Sequence, residues 1–195
     1  MSTKIDIRRL REVNQLAKAG AETVASHLEQ LTGVRAEMEI TKINVIDVED
    51  LGAHLGEAKQ VGVNVPLLEP PHGSVLLLFS DASAKTLAKT MVGETATDGP
   101  GYSEMERSAI REVGNIMTSG FIDGWANVLG RTIDISTPQL IRAGGEDIVD
   151  HCVDAGGQEV AILFDSTLKA PDADIQITIY TFPHVGEFVE LINAI

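Results

Sequence analysis

The stretch "IREVGNIMTSGFIDGWANVLG", residues 110–130, decides the fold. Its residues Ile110, Gly114, Met117, Phe121, Trp125 and Val128 recur at steps of three and four, the period of a helix that buries one stripe. Gly130 then supplies a C-terminal stop. Ninety-seven positions earlier, "VNQLAKAGAETVASHLEQLTG" (13–33) carries the same stripe at Val13, Ala17, Gly20, Val24, Leu28 and Leu31, closed by Gly33. Only Leu10, whose counterpart is Arg107, breaks the match. Six successive core positions and a stop glycine in one register point to a duplicated chain and two long helices.

The segments downstream of the two helices also correspond. "RAEMEITKI" (35–43) and "TIDISTPQL" (132–140) both alternate in part, which predicts a strand leaving each helix. Farther on, "GSVLLLFSDASAKTLAKTMVG" (73–93) is matched by "DIQITIYTFPHVGEFVELINAI" (174–195), in each case an apolar strand, a short turn and a helix. The turn-rich 94–102 forms the seam, and Ser103 with Glu106 reads as a capping box opening the second long helix. "LLEPPHG" (67–73) predicts a hairpin, and 48–56 and 144–157 read as short helices or loops. The expected fold is α+β: internally duplicated, pseudo-two-fold, with two long helices packed on a mostly antiparallel β-sheet. It spans 1–195 as a single domain of two repeats, about 5–93 and 103–195.

Composition narrows the function. The 195 residues carry a formal charge of −14, which repels phosphates and anionic lipid, so neither nucleic-acid binding nor membrane docking is expected. No apolar run reaches the ~18–20 residues of a membrane span, and the polar MSTKIDIRRLRE start does not read as a secretory signal. One cysteine, Cys152, allows no internal disulfide and fits a reducing cytoplasm. The acidic excess is spread along the chain, as suits a high-salt, halophilic cytoplasm.

At ~100° per residue, Ser108, Glu112 and Asn115 fall within about 60° of one another, opposite the apolar stripe. Pro138 lies 23 positions beyond Asn115 on the outgoing strand, giving the pattern Ser-x3-Glu-x2-Asn-x22-Pro. Gly114 costs ~1 kcal/mol in a helix interior and points inward, which suggests close packing of helix on sheet. In the context "REVGNIM", this pattern resembles the CheC-type chemotaxis phosphatases of the CheC/CheX/FliY family, and with the duplication and "LGRTIDISTPQLI" (129–141) the resemblance covers nearly the whole chain.

The resemblance implies hydrolysis of the aspartyl phosphate on the chemotaxis response regulator CheY. The partner would hold the Mg²⁺ and a lysine, and this chain would need no cofactor of its own. The remaining task is to orient water. Asn115 can donate and accept without titrating, so it suits that task, while Glu112 would pair with the partner's lysine. Ser108 and Pro138 complete the motif. In the first half the register of 97 places Arg11, Gln15, Lys18 and Thr41 at these four positions. Gln15 cannot make the ion pair and Lys18 has no acceptor, so that site is expected to be inactive.

Asp150, His151 and Cys152 are adjacent, but neighbours on a strand face opposite ways and no second ligand pair accompanies them, so no metal is expected. His27, His54, His72 and His184 read as surface residues, Trp125 as core, and no P-loop or nucleophile motif occurs. The resemblance leaves a non-catalytic alternative: an adaptor binding the receptor deamidase CheD or the flagellar or archaellar switch machinery.

Overall fold

A computed structural model describes residues 10–97, 99–153 and 159–194. The chain runs α1 (Leu10–Thr32), β1 (Glu37–Asp47), α2 (Leu51–Leu55), β2 (Gln60–Leu67), β3 (Gly73–Ser80) and α3 (Asp81–Val92). It continues α4 (Glu104–Leu129), β4 (Gln139–Ala143), α5 (Gly145–Cys152), β5 (Val160–Ala170), β6 (Ile175–Pro183) and α6 (Val185–Ala194). The six strands form one sheet in the order β1-β5-β6-β3-β2-β4, with every pairing antiparallel. Exchanging the first six elements with the last six turns that order into its own reverse. The arrangement is therefore pseudo-two-fold in topology, with the axis between β3 and β6. Descent of both halves from one duplicated unit remains our proposal for this regularity. The start of the first repeat, like the N-terminal segment as a whole, lies outside the described residues.

Alternation along the strands divides the core in two. Val75, Leu77 and Phe79 of β3 join Ile177 and Ile179 of β6 beneath α1, α3, α4 and α6. Leu76, Leu78, Tyr180 and Phe182 point the other way, under α2 and α5. The long helices thus share one face with α3 and α6, and the two short helices cover the other. No described helix is long and apolar enough to cross a membrane.

Both long helices end where the glycines require. Gly33 and Gly130 have φ of 68° and 63°, the left-handed conformation that terminates a helix cheaply only at glycine. The hairpin at 67–73 forms as expected, with Leu67 opposite Gly73. Trp125 is fully buried between Phe121, Phe164 and Phe188.

Three expectations need correction. The strand over 132–140 begins only at Gln139. Before it, Ile135 makes an isolated bridge to Leu67, so three steps on β2 (Asn64 to Leu67) face four on the outgoing chain (Gln139 to Ile135). That extra residue is a bulge at Pro138, which has no N–H to offer a ladder. His27 is not surface decoration: its ring packs over Gly120 of α4, with Nδ1 buried and without a partner. Asp150, His151 and Cys152 lie on helix α5 and not on a strand; Cys152 turns into the core, and burial pushes its thiol up to about 12.

Candidate functional site

The site is built on α4, whose start is held by a network of caps. Ser103 accepts from the Glu106 N–H at 3.2 Å, and the Glu106 carboxylate accepts from the Ser103 N–H at 2.7 Å, completing the capping box. Glu106 is fully buried and also accepts from Thr97 Oγ1 at 2.6 Å and Lys85 Nζ at 3.2 Å. Tyr102 lies beneath Lys85 and Arg142, while Arg142 reaches Asp81 at 2.6 Å. The seam is thereby tied to α3, β4 and the first turn of α4.

Farther along, Gly114 lets the helix settle on β2, since a Cβ there would run into Val63. Its inward direction is the one the sequence predicts. Gly124 meets the Ala19–Gly20 backbone of α1 in the same way. Helix, sheet and neighbouring helix fix the rotation of α4, and that rotation turns Ser108, Arg111 and Glu112 to solvent. Asn115 is half-buried, closer to the sheet than the spacing alone predicts.

The opposite wall comes from the residues ahead of β4. Leu68 N–H donates to Asp134 C=O at 2.9 Å, and Ser136 N–H donates to Pro66 C=O at 2.8 Å. Asp134 N–H donates to the Glu69 carboxylate. These bonds pin 134–136 against the hairpin, and the bulge then swings Pro138 toward α4. The result is a shallow cleft of about 510 Å³ lined by Ser108, Arg111, Glu112, Asn115, Ile135, Ser136, Thr137 and Pro138.

All four residues of the sequence motif therefore line one cleft, although Pro138 lies 23 positions beyond Asn115. Sequence reasoning missed Arg111 and the Ile135–Thr137 wall. The signal for Arg111 was present: it stands three positions after Ser108 and four before Asn115, on the same face. Among the described residues, no hydrogen bond or ion pair holds the side chain of Ser108, Arg111, Glu112 or Asn115; besides the helix ladder, the Asn115 carbonyl accepts from Ser119 Oγ at 2.9 Å. The face offers an anion, a cation and a carboxamide, all uncommitted.

In the first half, Arg11, Gln15 and Lys18 are exposed on α1. Thr41 falls where β1 shifts register between Glu39 and Lys42, the position matching the Pro138 bulge, though its side chain lies outside the described residues. Among the described residues, no three His, Cys, Asp or Glu side chains come together in a way that could hold a metal.

Comparison with known proteins adds to this geometry. The sequence model of the CheC-like family matches residues 105–142, the segment that carries all four motif residues. A curated Halobacterium salinarum protein, named "Putative CheY-P phosphatase CheC1", is 69% identical over 195 residues, the full length of both chains. Among solved structures, Thermotoga maritima FliY superposes with a TM-score of 0.76 at 15% identity, covering 97% of this chain and 98% of that one. CheX from Desulfovibrio desulfuricans gives 0.61 at 17% identity, over 87% and 99% of the two chains. The FliM middle domain from Vibrio alginolyticus gives 0.67 at 14%, over 92% and 99%. These structural likenesses speak for the fold.

Proposed function

The chain belongs to the CheC-like family, and from that premise we propose that it accelerates hydrolysis of the aspartyl phosphate on a CheY-type response regulator. One observation carries the reading: Ser108, Glu112, Asn115 and Pro138, separated in sequence, line a single cleft on α4. The name borne by the 69%-identical relative supports it.

An acyl phosphate is already a reactive group, and its hydrolysis needs mainly position and charge neutralisation. On this reading the partner brings its own Mg²⁺ and a lysine, and the step left to this chain is the placement of water. Asn115 enters the partner's site and holds a water in line with the leaving carboxylate, its amide accepting from the water through Oδ1 or donating to it through Nδ2. Glu112 pairs with the partner's lysine and sets the depth and angle of entry. Without that cation its charge would be repelled by the phosphoryl group. The water attacks phosphorus, the P–O bond to the aspartate breaks, and the products are free carboxylate and inorganic phosphate. Ser108 and Pro138 shape the cleft. Such a protein needs no cofactor of its own and works in the cytoplasm beside its substrate.

The second reading is an adaptor for the CheD deamidase or the switch machinery. Its support is the first half, where Arg11, Gln15 and Lys18 stand exposed in place of the motif. The decay of phosphorylated CheY, followed with and without this protein and with and without CheD, separates the two. Faster decay in the absence of CheD supports the phosphatase. Binding of CheD with an unaltered phosphate lifetime would establish the adaptor.

A further inference from the structure

Looking down α4 at ~100° per residue, Arg111 and Glu112 stand about 100° apart, with Asn115 and Ser108 on the arc between them. The carboxamide is thus flanked by one cation and one anion. Arg111 is exposed and lines the cleft, and its guanidinium has no ion pair or hydrogen bond among the described residues. Three other basic side chains on α3, α4 and β4 are engaged. Lys85 pairs with Glu106 at 3.2 Å, Arg107 Nε donates to Tyr102 C=O at 3.2 Å, and Arg142 pairs with Asp81 at 2.6 Å.

This free guanidinium matters because of the charge around it. A chain of net charge −14 repels an anionic partner at long range, and Glu112 adds a carboxylate at the point of contact. Phosphorylation adds negative charge to the partner's aspartate at the point of contact. The partner's Mg²⁺ and lysine offset part of that charge, and a cation in the same cleft offsets the repulsion that remains as Asn115 approaches the phosphate. We infer that Arg111 is the specificity residue for the phosphorylated partner: its guanidinium engages the phosphoryl oxygens as Asn115 enters, and so sets affinity for the phosphorylated over the unphosphorylated form. A planar, permanently charged fork suits phosphoryl oxygens geometrically as well as electrically. The inference rests on the proposed phosphatase reading and assigns the group that recognises the substrate's charge.

The test uses the full chain and a CheY-type response regulator, free and loaded with beryllofluoride as a stable phosphoryl mimic. Binding is measured for wild type, Arg111→Ala, Arg111→Lys and Arg111→Glu, and turnover of the phosphorylated regulator is measured in parallel. Arg111→Ala is expected to weaken binding of the loaded regulator about tenfold while changing affinity for the free form less than about twofold. Arg111→Glu should weaken it further, and Arg111→Lys should recover part of the loss. In turnover the effect should fall on KM, with a shallower dependence of kcat/KM on salt. A residue that only held the helix would lower both affinities and the melting temperature together. Equal preference for the loaded form in wild type and Arg111→Ala overturns the inference, whatever the rates. A wild type that binds the loaded form through Arg111 but does not hasten decay overturns the phosphatase reading alone. A wild type that binds neither form overturns both.

Discussion

Glu106 has no accessible surface and yet is held as a carboxylate. Burial pushes its pKa up, but hydrogen bonds from Thr97, Ser103 and Lys85 outweigh that and bring it from the ordinary 4.5 down to about 2. Because the folded value lies below the unfolded one, the stabilisation is present above about pH 4.5 and is lost as pH falls through about 2. The melting-temperature gap between wild type and Glu106→Gln is therefore expected to be largest near neutrality and to close over that acid range. A gap independent of pH would contradict the assignment. This capping role was legible in the sequence, since Ser103 and Glu106 have the spacing of a reciprocal cap. The ties to Thr97 and Lys85 were not, because they depend on how the seam folds back. At the candidate site the same division holds. Glu112 and Asn115 can be placed by helical spacing, while the half-burial of Asn115 depends on how deeply α4 sinks onto β2.

At the scale of elements, the glycines of α4 set its place. A methyl group on Gly124 would stand 2.6 Å from the Gly20 backbone nitrogen of α1, and backbone cannot step aside as a side chain can. In an open helix, alanine would add ~1 kcal/mol of stability over glycine. Here Gly124→Ala is expected to cost about 1–3 kcal/mol, a fall of roughly 2–12 °C in Tm. A rise in Tm would mean that the helices are farther apart than this contact implies. The helices themselves were readable because a stripe of period 3.6 ending at a glycine has few other readings. The strand after α4 was misread because the alternation in "TIDISTPQL" continues through a proline that cannot complete a ladder. The bulge that results carries Pro138 to the cleft. Sequence spacing could count the 23 positions to Pro138 but could not say that the chain bends there.

At the scale of the molecule, sheet order and element order are both preserved when the two halves are exchanged, yet only one half keeps the motif. Packing constrains the buried stripe of each helix, and nothing in packing constrains the exposed face, so fold and site can part company. The net charge of −14 acts at this scale too. Raising KCl from about 0.05 M to about 1 M shortens the Debye length to about 3 Å, which should relieve self-repulsion and raise Tm. A Tm that is flat or falling with salt would show that repulsion is not a governing term. The central claim is narrower, that one carboxamide on an exposed helix face governs the lifetime of another protein's acyl phosphate. The most direct measurement is the first-order decay constant of phosphorylated CheY with saturating wild type or Asn115→Ala, at matched helicity and Tm. The account predicts that Asn115→Ala returns the decay to the rate of the regulator alone, and full acceleration by that variant would contradict it.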